Sequence, residues 1–195
     1  MKTDPHYGRL REPMQYINNL LRAFNVRSFD GASTSDGVVA VFGNAPNYGD
    51  AMDQSLYRPI SVFGYFTPDY VVTSAGVYGP PFGILTSSTT LARANFVNTM
   101  VHNGLNPNAT PASSPSRPRG TSIDLSPLTA VASDPAQLAG FLDRLLLHGT
   151  MSPGLRATVV KAVETIPASD SEFARKRAQM ALYVVATSPQ YDVQR

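Results

Sequence analysis

The sequence of 195 residues contains no cysteine. This excludes disulfide bonds, thiolate nucleophiles and cysteine-ligated zinc or iron–sulfur sites. Charged residues are also scarce, at 15% of the chain, whereas about a quarter is usual in soluble domains. Hydrophobic residues make up 43%. We therefore expect part of the surface to be covered, either by an N-terminal portion of a longer chain or by a protein partner.

Long apolar runs are absent as well. Residues 1–7 lack the apolar core of a signal peptide, and no later stretch is long and apolar enough to span a membrane. The formal net charge is only +2, and the densest basic run, residues 175–177, lies in a predicted helix without interleaved aromatic residues. We interpret this run as a solvated helix face, and we expect no nucleic-acid binding.

Common catalytic and cofactor-binding motifs are missing too. The sequence has no Gly-x-Ser-x-Gly elbow, no Walker-type loop and no Gly-x-Gly-x-x-Gly after a strand. His6, His102 and His148 each lack a second ligand at metal-binding spacing. We expect no metal and no cofactor, and we interpret His102 and His148 as residues at helix C-termini, where the helix dipole favours them.

Apolar spacing predicts a helical body. Apolar residues recur at helical intervals after Pro13, which predicts a helix over residues 13–25. A second helix is predicted over residues 89–102, where one face holds Ala92, Phe96 and Met100. Another face holds Leu91, Asn95, Asn98 and His102.

The last third of the chain predicts three helices joined by short loops. Asp134 is placed to cap the first helix, with Pro135 in its first turn and Gly149 at its end. Ser152 and Pro153 repeat this start signal for the second helix.

The third helix of this unit is predicted to begin at Ser171 and to close at Ser188 and Pro189. The residues predicted to turn inward are Phe173, Met180, Ala181, Val184 and Val185. Three helices with short connections predict a compact antiparallel unit.

Stretches rich in proline and glycine interrupt the helices. Residues 43–83 also contain many tyrosines and phenylalanines, which predicts an irregular segment packed on the helical body. Residues 103–122 predict a flexible linker, because their composition buries too little apolar area to offset ordering entropy. Residues 38–42 predict a strand or a buried extended segment. The predicted fold is mainly α: a bundle-like body with the irregular aromatic segment in residues 1–102, the linker, and the three-helix unit in residues 123–195.

Four motifs together resemble a known family. They are GRLREP at 8–13, RPISVFGYFTPDY at 58–70, GPPFGIL at 79–85, and ATSPQY at 186–191 with QR at 194–195. In order and spacing they resemble the C-terminal part of the large bacterial family known as domain of unknown function 1800.

The resemblance implies context but no reaction, since the family has no established activity. It implies that complete members are more than twice as long as this chain and commonly exported. It also implies that their genes often lie beside those of an uncharacterised, sulfatase-like exported family. Gly64 and Pro81 depart from the pattern, because the family often has asparagine and glutamate at those places.

Arg58, Asp69, Arg93 and Asn95 are the candidate binding residues. A guanidinium offers a rigid fork of donors and neighbouring rings offer stacking faces, so this group favours a carboxylate, a sulfate or a sugar. Alternatively, the same residues hold the irregular segment in place by satisfying its buried carbonyls.

Three acidic residues have simpler interpretations. Asp50 and Asp53 lack the further oxygen ligands that a calcium loop needs, so we interpret them as part of a polar turn or helix start with Asp50 as the cap. Glu12 lies beside Arg11, which favours an ion pair or a helix-start carboxylate over a general base.

The sequence favours a noncatalytic structural or interaction module. One alternative is the pocket-forming part of an enzyme whose catalytic groups lie in an N-terminal portion, which predicts that Arg58 and Arg93 converge on one cavity. The other is a carbohydrate-binding module, which burial of Tyr65, Phe66 and Tyr70 would exclude.

Overall fold

The computed structural model describes residues 8–37, 47–74, 76–105, 114, 116 and 118–194. Within them the chain is mainly α-helical, as predicted, with only two small antiparallel strand pairs. The extended segment predicted at residues 38–42 lies outside the described residues.

The helices are α1 Pro13–Ala23, α2 Tyr48–Ala51, α3 Ser87–His102, α4 Ser126–Thr129, α5 Pro135–Leu146, α6 Pro153–Glu164, α7 Phe173–Ala186 and α8 Pro189–Asp192, with a 3-10 helix at Pro80–Ile84. The strands are β1 Arg9–Leu10, β2 Val71–Val72, β3 Val77–Tyr78 and β4 Val193–Gln194. Strand β1 pairs with β4, and β2 pairs with β3.

The start of α1 follows from its first residues. Glu12 and Gln15 form a reciprocal capping box around Pro13 in the first turn. This confirms that Glu12 is a helix-start carboxylate. Glu12 also forms an ion pair at 2.5 Å, but its partner is Arg9 and not the adjacent Arg11. The helix ends at Ala23, two residues before the predicted end.

The predicted faces of α3 are confirmed. Ala92, Phe96 and Met100 are buried, whereas Leu91 is 61% exposed. The helix begins before the predicted residue, because the side chain of Thr86 caps it. His102 is its last residue, as expected.

The C-terminal helices α5, α6 and α7 pack on one another, and their predicted caps are confirmed for α5 and α6. The Asp134 carboxylate accepts the amides of Ala136 and Gln137 at 2.8 and 3.1 Å. The Ser152 hydroxyl accepts the amide of Leu155 at 3.2 Å.

Two predictions about α7 are wrong, namely its first residue and the burial of Met180. The helix begins at Phe173 rather than Ser171, because residues 167–172 form turns in which the Asp170 side chain accepts the Glu172 amide. Met180 is 37% exposed, since the buried stripe runs along neighbouring helical positions instead. The predicted end is confirmed, because α7 ends at Ala186 and the Ser188 hydroxyl donates to the Val185 carbonyl at 2.7 Å. The Ser188 side chain also caps α8.

The interpretation of residues 175–177 as a solvated face is also partly wrong. Arg177 is only 8% exposed, because it lies one turn before the buried Ala181 and shares its face. Its guanidinium donates to the Ile166 carbonyl at 2.7 and 2.9 Å and to the Ala132 carbonyl at 3.2 Å.

Paired backbone connects the two ends of the stretch predicted as a linker. Leu105 and Thr121 exchange amide hydrogen bonds of 2.7 and 2.8 Å, and Ser122 exchanges two with Arg27. Gly120 has a φ of +68°, and a Cβ there would lie 2.3 Å from the Leu105 carbonyl oxygen, so this approach requires glycine. One hydrophobic cluster contains buried residues from both predicted parts of the chain, residues 1–102 and residues 123–195.

A buried polar network, which we call the clamp, joins the segment between β1 and α1 to α3 and α8. Its members are Arg11, Tyr16, Arg93, Tyr191 and Asp192. Arg93 donates to the Asp192 carboxylate at 2.9 Å and to the Arg11 carbonyl at 3.0 Å. Arg11 donates to the Tyr191 carbonyl and lies 4.4 Å over the Tyr191 ring. Arg93 lies 4.8 Å over the Tyr16 ring.

Burial shifts the pKa values of four residues in the clamp. It raises the pKa of the Tyr16 and Tyr191 hydroxyls, because the ionised form loses its hydration. It also raises the pKa of Asp192, against the opposing effect of Arg93, and lowers the pKa of Arg11. Both hydroxyls are satisfied, since Tyr16 donates to the Ala186 carbonyl at 2.6 Å and Tyr191 to the Tyr16 carbonyl at 3.1 Å.

We expect alkaline pH to destabilise the fold through Tyr16 and Tyr191. In the folded state each hydroxyl keeps a proton that the unfolded chain releases above about pH 10. This stabilisation is complete below that pH and is lost as the pH rises, by about 1.4 kcal/mol per pH unit for each tyrosine. Urea unfolding followed by circular dichroism above and below that pH measures the slope of the free energy of unfolding against pH. Tyr16→Phe should reduce the slope, whereas Tyr78→Phe, at a side chain 75% exposed, should not. Equal slopes in all three proteins would contradict this assignment.

Candidate functional site

A cleft of about 400 Å³ opens in the irregular aromatic segment, a volume within the usual range for small-molecule sites. We call it the aromatic cleft. It is lined by Asp50, Asp53, Ser55, Arg58, Ile60, Tyr65, Phe66, Thr67, Tyr70, Gly83 and Ile84.

Helix α2 forms one wall of the aromatic cleft. The side chain of Asn47 accepts the Asp50 amide at 3.1 Å and donates to the Asp50 carboxylate at 3.0 Å. Asn47 is therefore the cap, and the prediction of Asp50 as the cap is wrong, because Asp50 lies in the first turn instead. The second Asp50 carboxylate oxygen accepts the Ser55 hydroxyl.

Three buried side chains anchor this wall to the helical body. The Tyr48 hydroxyl lies 2.7 Å from the Thr99 hydroxyl on α3, and Met52 is fully buried. Gln54 accepts the Met14 amide at 2.8 Å and is 3% exposed. The cleft therefore has a fixed base on α1 and α3.

The opposite wall is built from turns and close ring packing. The Tyr65 hydroxyl donates to the Ser55 carbonyl across the cleft. The Tyr70 ring lies against the backbone of Gly83, where a Cβ would approach the ring to 3.4 Å. Gly79 follows β3, and a Cβ there would lie 2.8 Å from Val72. Glycine thus permits the close packing of this wall.

Much of the aromatic segment is exposed, which contradicts the expectation that its rings pack onto the body. Tyr57, Phe63 and Tyr78 are 89%, 74% and 75% exposed. The backbone hydrogen bonds of residues 58–82 run between turns and the short hairpin of the segment itself. These three rings are therefore not packed on the helical body, whereas Tyr48, near the start of the segment, packs against Phe96 of α3 with ring centroids 5.4 Å apart.

The four candidate binding residues do not converge. Arg58 lines the aromatic cleft, whereas Asp69 is exposed in the turn before Tyr70 and is not among the lining residues. Arg93 is buried in the clamp, and Asn95 lies on the exposed face of α3. The alternative in which Arg58 and Arg93 shape one cavity therefore lacks its geometric basis.

Sequence reasoning missed part of the lining of the aromatic cleft. Ser55 and Thr67 carry no pattern of their own, and their position depends on turns. Asp53 has a φ of +60°, an unusual conformation for a non-glycine residue that no spacing rule predicts. The available signal was the density of rings and polar residues around Arg58.

The cleft offers hydrogen bonds and ring faces. Its lining combines one guanidinium, two carboxylates, two aliphatic hydroxyls and three aromatic rings, two of which carry a phenolic hydroxyl, without histidine. Nowhere in the described ranges do three or more His, Cys, Asp or Glu residues gather where a metal ion could bind. Within those ranges, too, no helix has the length and apolar character needed to cross a membrane. Such a lining suits binding by stacking and hydrogen bonding.

A family model described as "Protein of unknown function (DUF1800)" matches residues 2–193. Because the match covers nearly the whole sequence, the chain belongs to this family, as its four motifs predicted. No curated protein and no solved structure matches it.

Proposed function

We propose that this member of the DUF1800 family is a noncatalytic interaction module that docks through its exposed aromatic segment. We assign the docking partner to the remainder of a longer DUF1800 chain, because the resemblance implies that complete members are more than twice as long. On the resemblance alone, we also propose that the complete protein is exported.

The distribution of exposed apolar side chains carries this proposal. Of the twelve large hydrophobic residues that are exposed in the described part of the chain, nine lie between Tyr57 and Phe82. Val62 is 96% exposed and Ile60 80%. Burying one such side chain contributes roughly 1.5 to 3 kcal/mol. Apolar exposure concentrated in this way is typical of an interaction surface.

The charge distribution supports the same function. Between residues 55 and 83 the sequence contains only two charged residues, Arg58 and Asp69. Interface cores are depleted of charge and enriched in tyrosine and phenylalanine. The segment combines both properties.

The backbone of the segment also supports docking. Strands β2 and β3 form a two-stranded sheet in which Val71, Val77 and Tyr78 are 43%, 55% and 75% exposed. An isolated hairpin of this size is marginally stable in water and leaves strand edges open to further pairing. Tyr57 has a backbone φ of +60°, and its side chain is 89% exposed. A docked partner would bury these rings and support the hairpin.

We expect the triple substitution Val62→Ser, Phe63→Ser and Tyr78→Ser to abolish docking. The remainder of a longer family chain, supplied as a separate polypeptide, should bind the unmodified chain with a dissociation constant of about 1 μM or tighter, as measured by titration calorimetry. The triple substitution should weaken binding by at least about a hundredfold, because it removes roughly 3 kcal/mol or more of apolar burial.

A matched control uses exposed hydrophobic residues elsewhere. Phe29→Ser, Leu91→Ser and Met180→Ser alter side chains that are 41%, 61% and 37% exposed, and they should leave binding unchanged. An absence of binding by the unmodified chain, or equal weakening by both triple substitutions, would refute docking through this segment.

Glycan binding is the second candidate function. The aromatic cleft favours it, because Tyr65 and Phe66 are half-buried and Tyr70 is 39% exposed, so the rings are not fully buried. They lie beside Arg58, a donor suited to the carboxylate or sulfate of an acidic sugar.

A separate substitution distinguishes this second candidate from docking. If glycans bind, Tyr70→Ala should weaken the binding of an acidic oligosaccharide by about tenfold or more, since stacking on an aromatic ring is lost. The triple substitution at Val62, Phe63 and Tyr78 should leave that binding intact, because these residues do not line the cleft. A calorimetric screen in which neither acidic nor neutral oligosaccharides bind would eliminate the candidate.

A further inference from the structure

A second cleft lies beside the clamp, on the side of the molecule where α1 meets the end of α5. It encloses about 320 Å³, and we call it the basic cleft. Its polar lining residues include Arg11, Asn19, Arg22, His148 and Gln194. No aspartate or glutamate lines it.

Arg11 gives the basic cleft a buried positive charge. The residue is 2% exposed, and its guanidinium donates to the carbonyls of Tyr191 and Leu146. Its Nε–H is buried without an acceptor among the described residues. A buried polar donor without a partner is unfavourable, so the positive charge of Arg11 is incompletely compensated.

The nearby Asp192 carboxylate favours the charged form of Arg11 but does not contact it directly. Asp192 forms its ion pair with Arg93 at 2.9 Å, and Arg11 forms no ion pair within the described part of the chain. The clamp therefore contains two guanidinium groups and one carboxylate. A buried charge without a direct counter-ion is unfavourable, so the site favours an additional anion.

The rim of the basic cleft adds further donors. Arg22 lies in the last turn of α1 and is exposed, and across the described ranges its side chain has neither a hydrogen bond nor an ion pair. His148 is also exposed and has a φ of +55°. Asn19 contributes a side-chain amide. Asn19 and Arg22 lie on α1 and His148 follows α5, and all three line one opening.

We infer that the basic cleft binds an oxyanion: the phosphate, sulfate or carboxylate group of a ligand. Arg22 supplies the exposed fork of donors that such groups prefer. His148 and Asn19 supply further hydrogen bonds, while the buried Arg11 contributes its positive charge from the protein side of the cleft. The site is distinct from the aromatic cleft and from the docking segment, so its failure would leave the proposed function standing.

Titration calorimetry of the full chain tests this inference with three probes at constant ionic strength: inorganic phosphate, inorganic sulfate and acetate. Saturable binding of at least one is expected, with a dissociation constant of about 1 mM. The probe that binds most tightly identifies the chemistry of the anionic group.

Variants at the rim assign the binding to the basic cleft. Arg22→Gln should weaken it by about tenfold, since one charge-assisted pair is lost. His148→Asn should weaken it by a few-fold (about threefold), because asparagine tolerates the left-handed backbone but places its donor differently. Both positions are exposed, so the variants should remain folded.

Arg144→Gln is the matched control. Arg144 is likewise an exposed arginine in the last turn of a helix, α5, without a hydrogen bond or ion pair in the described part of the chain, and it does not line the basic cleft. Arg144→Gln should change the anion affinity by less than about twofold relative to the unmodified chain, because only long-range electrostatic interactions change. If no probe binds saturably, or if Arg144→Gln weakens binding as much as Arg22→Gln, the inference is overturned.

Discussion

The ion pair between Arg93 and Asp192 connects parts of the chain that are far apart in sequence. Arg93 projects from the long helix α3, Asp192 ends α8, and the Arg93 guanidinium also holds the carbonyl of Arg11 before α1. Breaking such a pair leaves an uncompensated charge in a poorly solvated place, which is far more costly than losing a surface pair. The pairing of β1 with β4 and the packing of Tyr16 against Tyr191 both lie beside this contact.

The helical body and the aromatic segment differ in how they are stabilised. The body buries one continuous hydrophobic cluster, and its buried arginines donate to backbone carbonyls and to the Asp192 carboxylate. The segment is anchored through Tyr48, Met52 and Gln54, and beyond them it exposes most of its apolar side chains. A rigid scaffold that presents an exposed, nearly uncharged aromatic segment is suited to recognition. This contrast explains why we place docking in the segment and anion binding at the edge of the body.

The sequence predicted features that depend on neighbouring residues. Asp134 before Pro135, and Ser152 before Pro153, fix helix starts locally, so both were predicted correctly. The burial of Arg93 in the clamp was not predictable, because its partner Asp192 lies 99 residues away in the sequence. Aromatic density indicated Arg58 and the rings of Tyr65, Phe66 and Tyr70, which line the cleft, whereas Ser55 and Thr67 depend on turn conformations. Local chemistry determines helix ends, but long-range pairing determines which polar residues become buried.

The central claim is that the clamp holds the body together, and the free energy of unfolding of Arg93→Ala tests it most directly. Urea unfolding followed by circular dichroism should show a loss of about 3 kcal/mol, because Asp192 and the Arg11 carbonyl lose their donor. Arg175→Ala removes an arginine whose side chain is 61% exposed and whose acidic partner lies 3.9 Å away, and it should change stability by less than about 0.5 kcal/mol. Equal, small losses in the two variants would contradict the account.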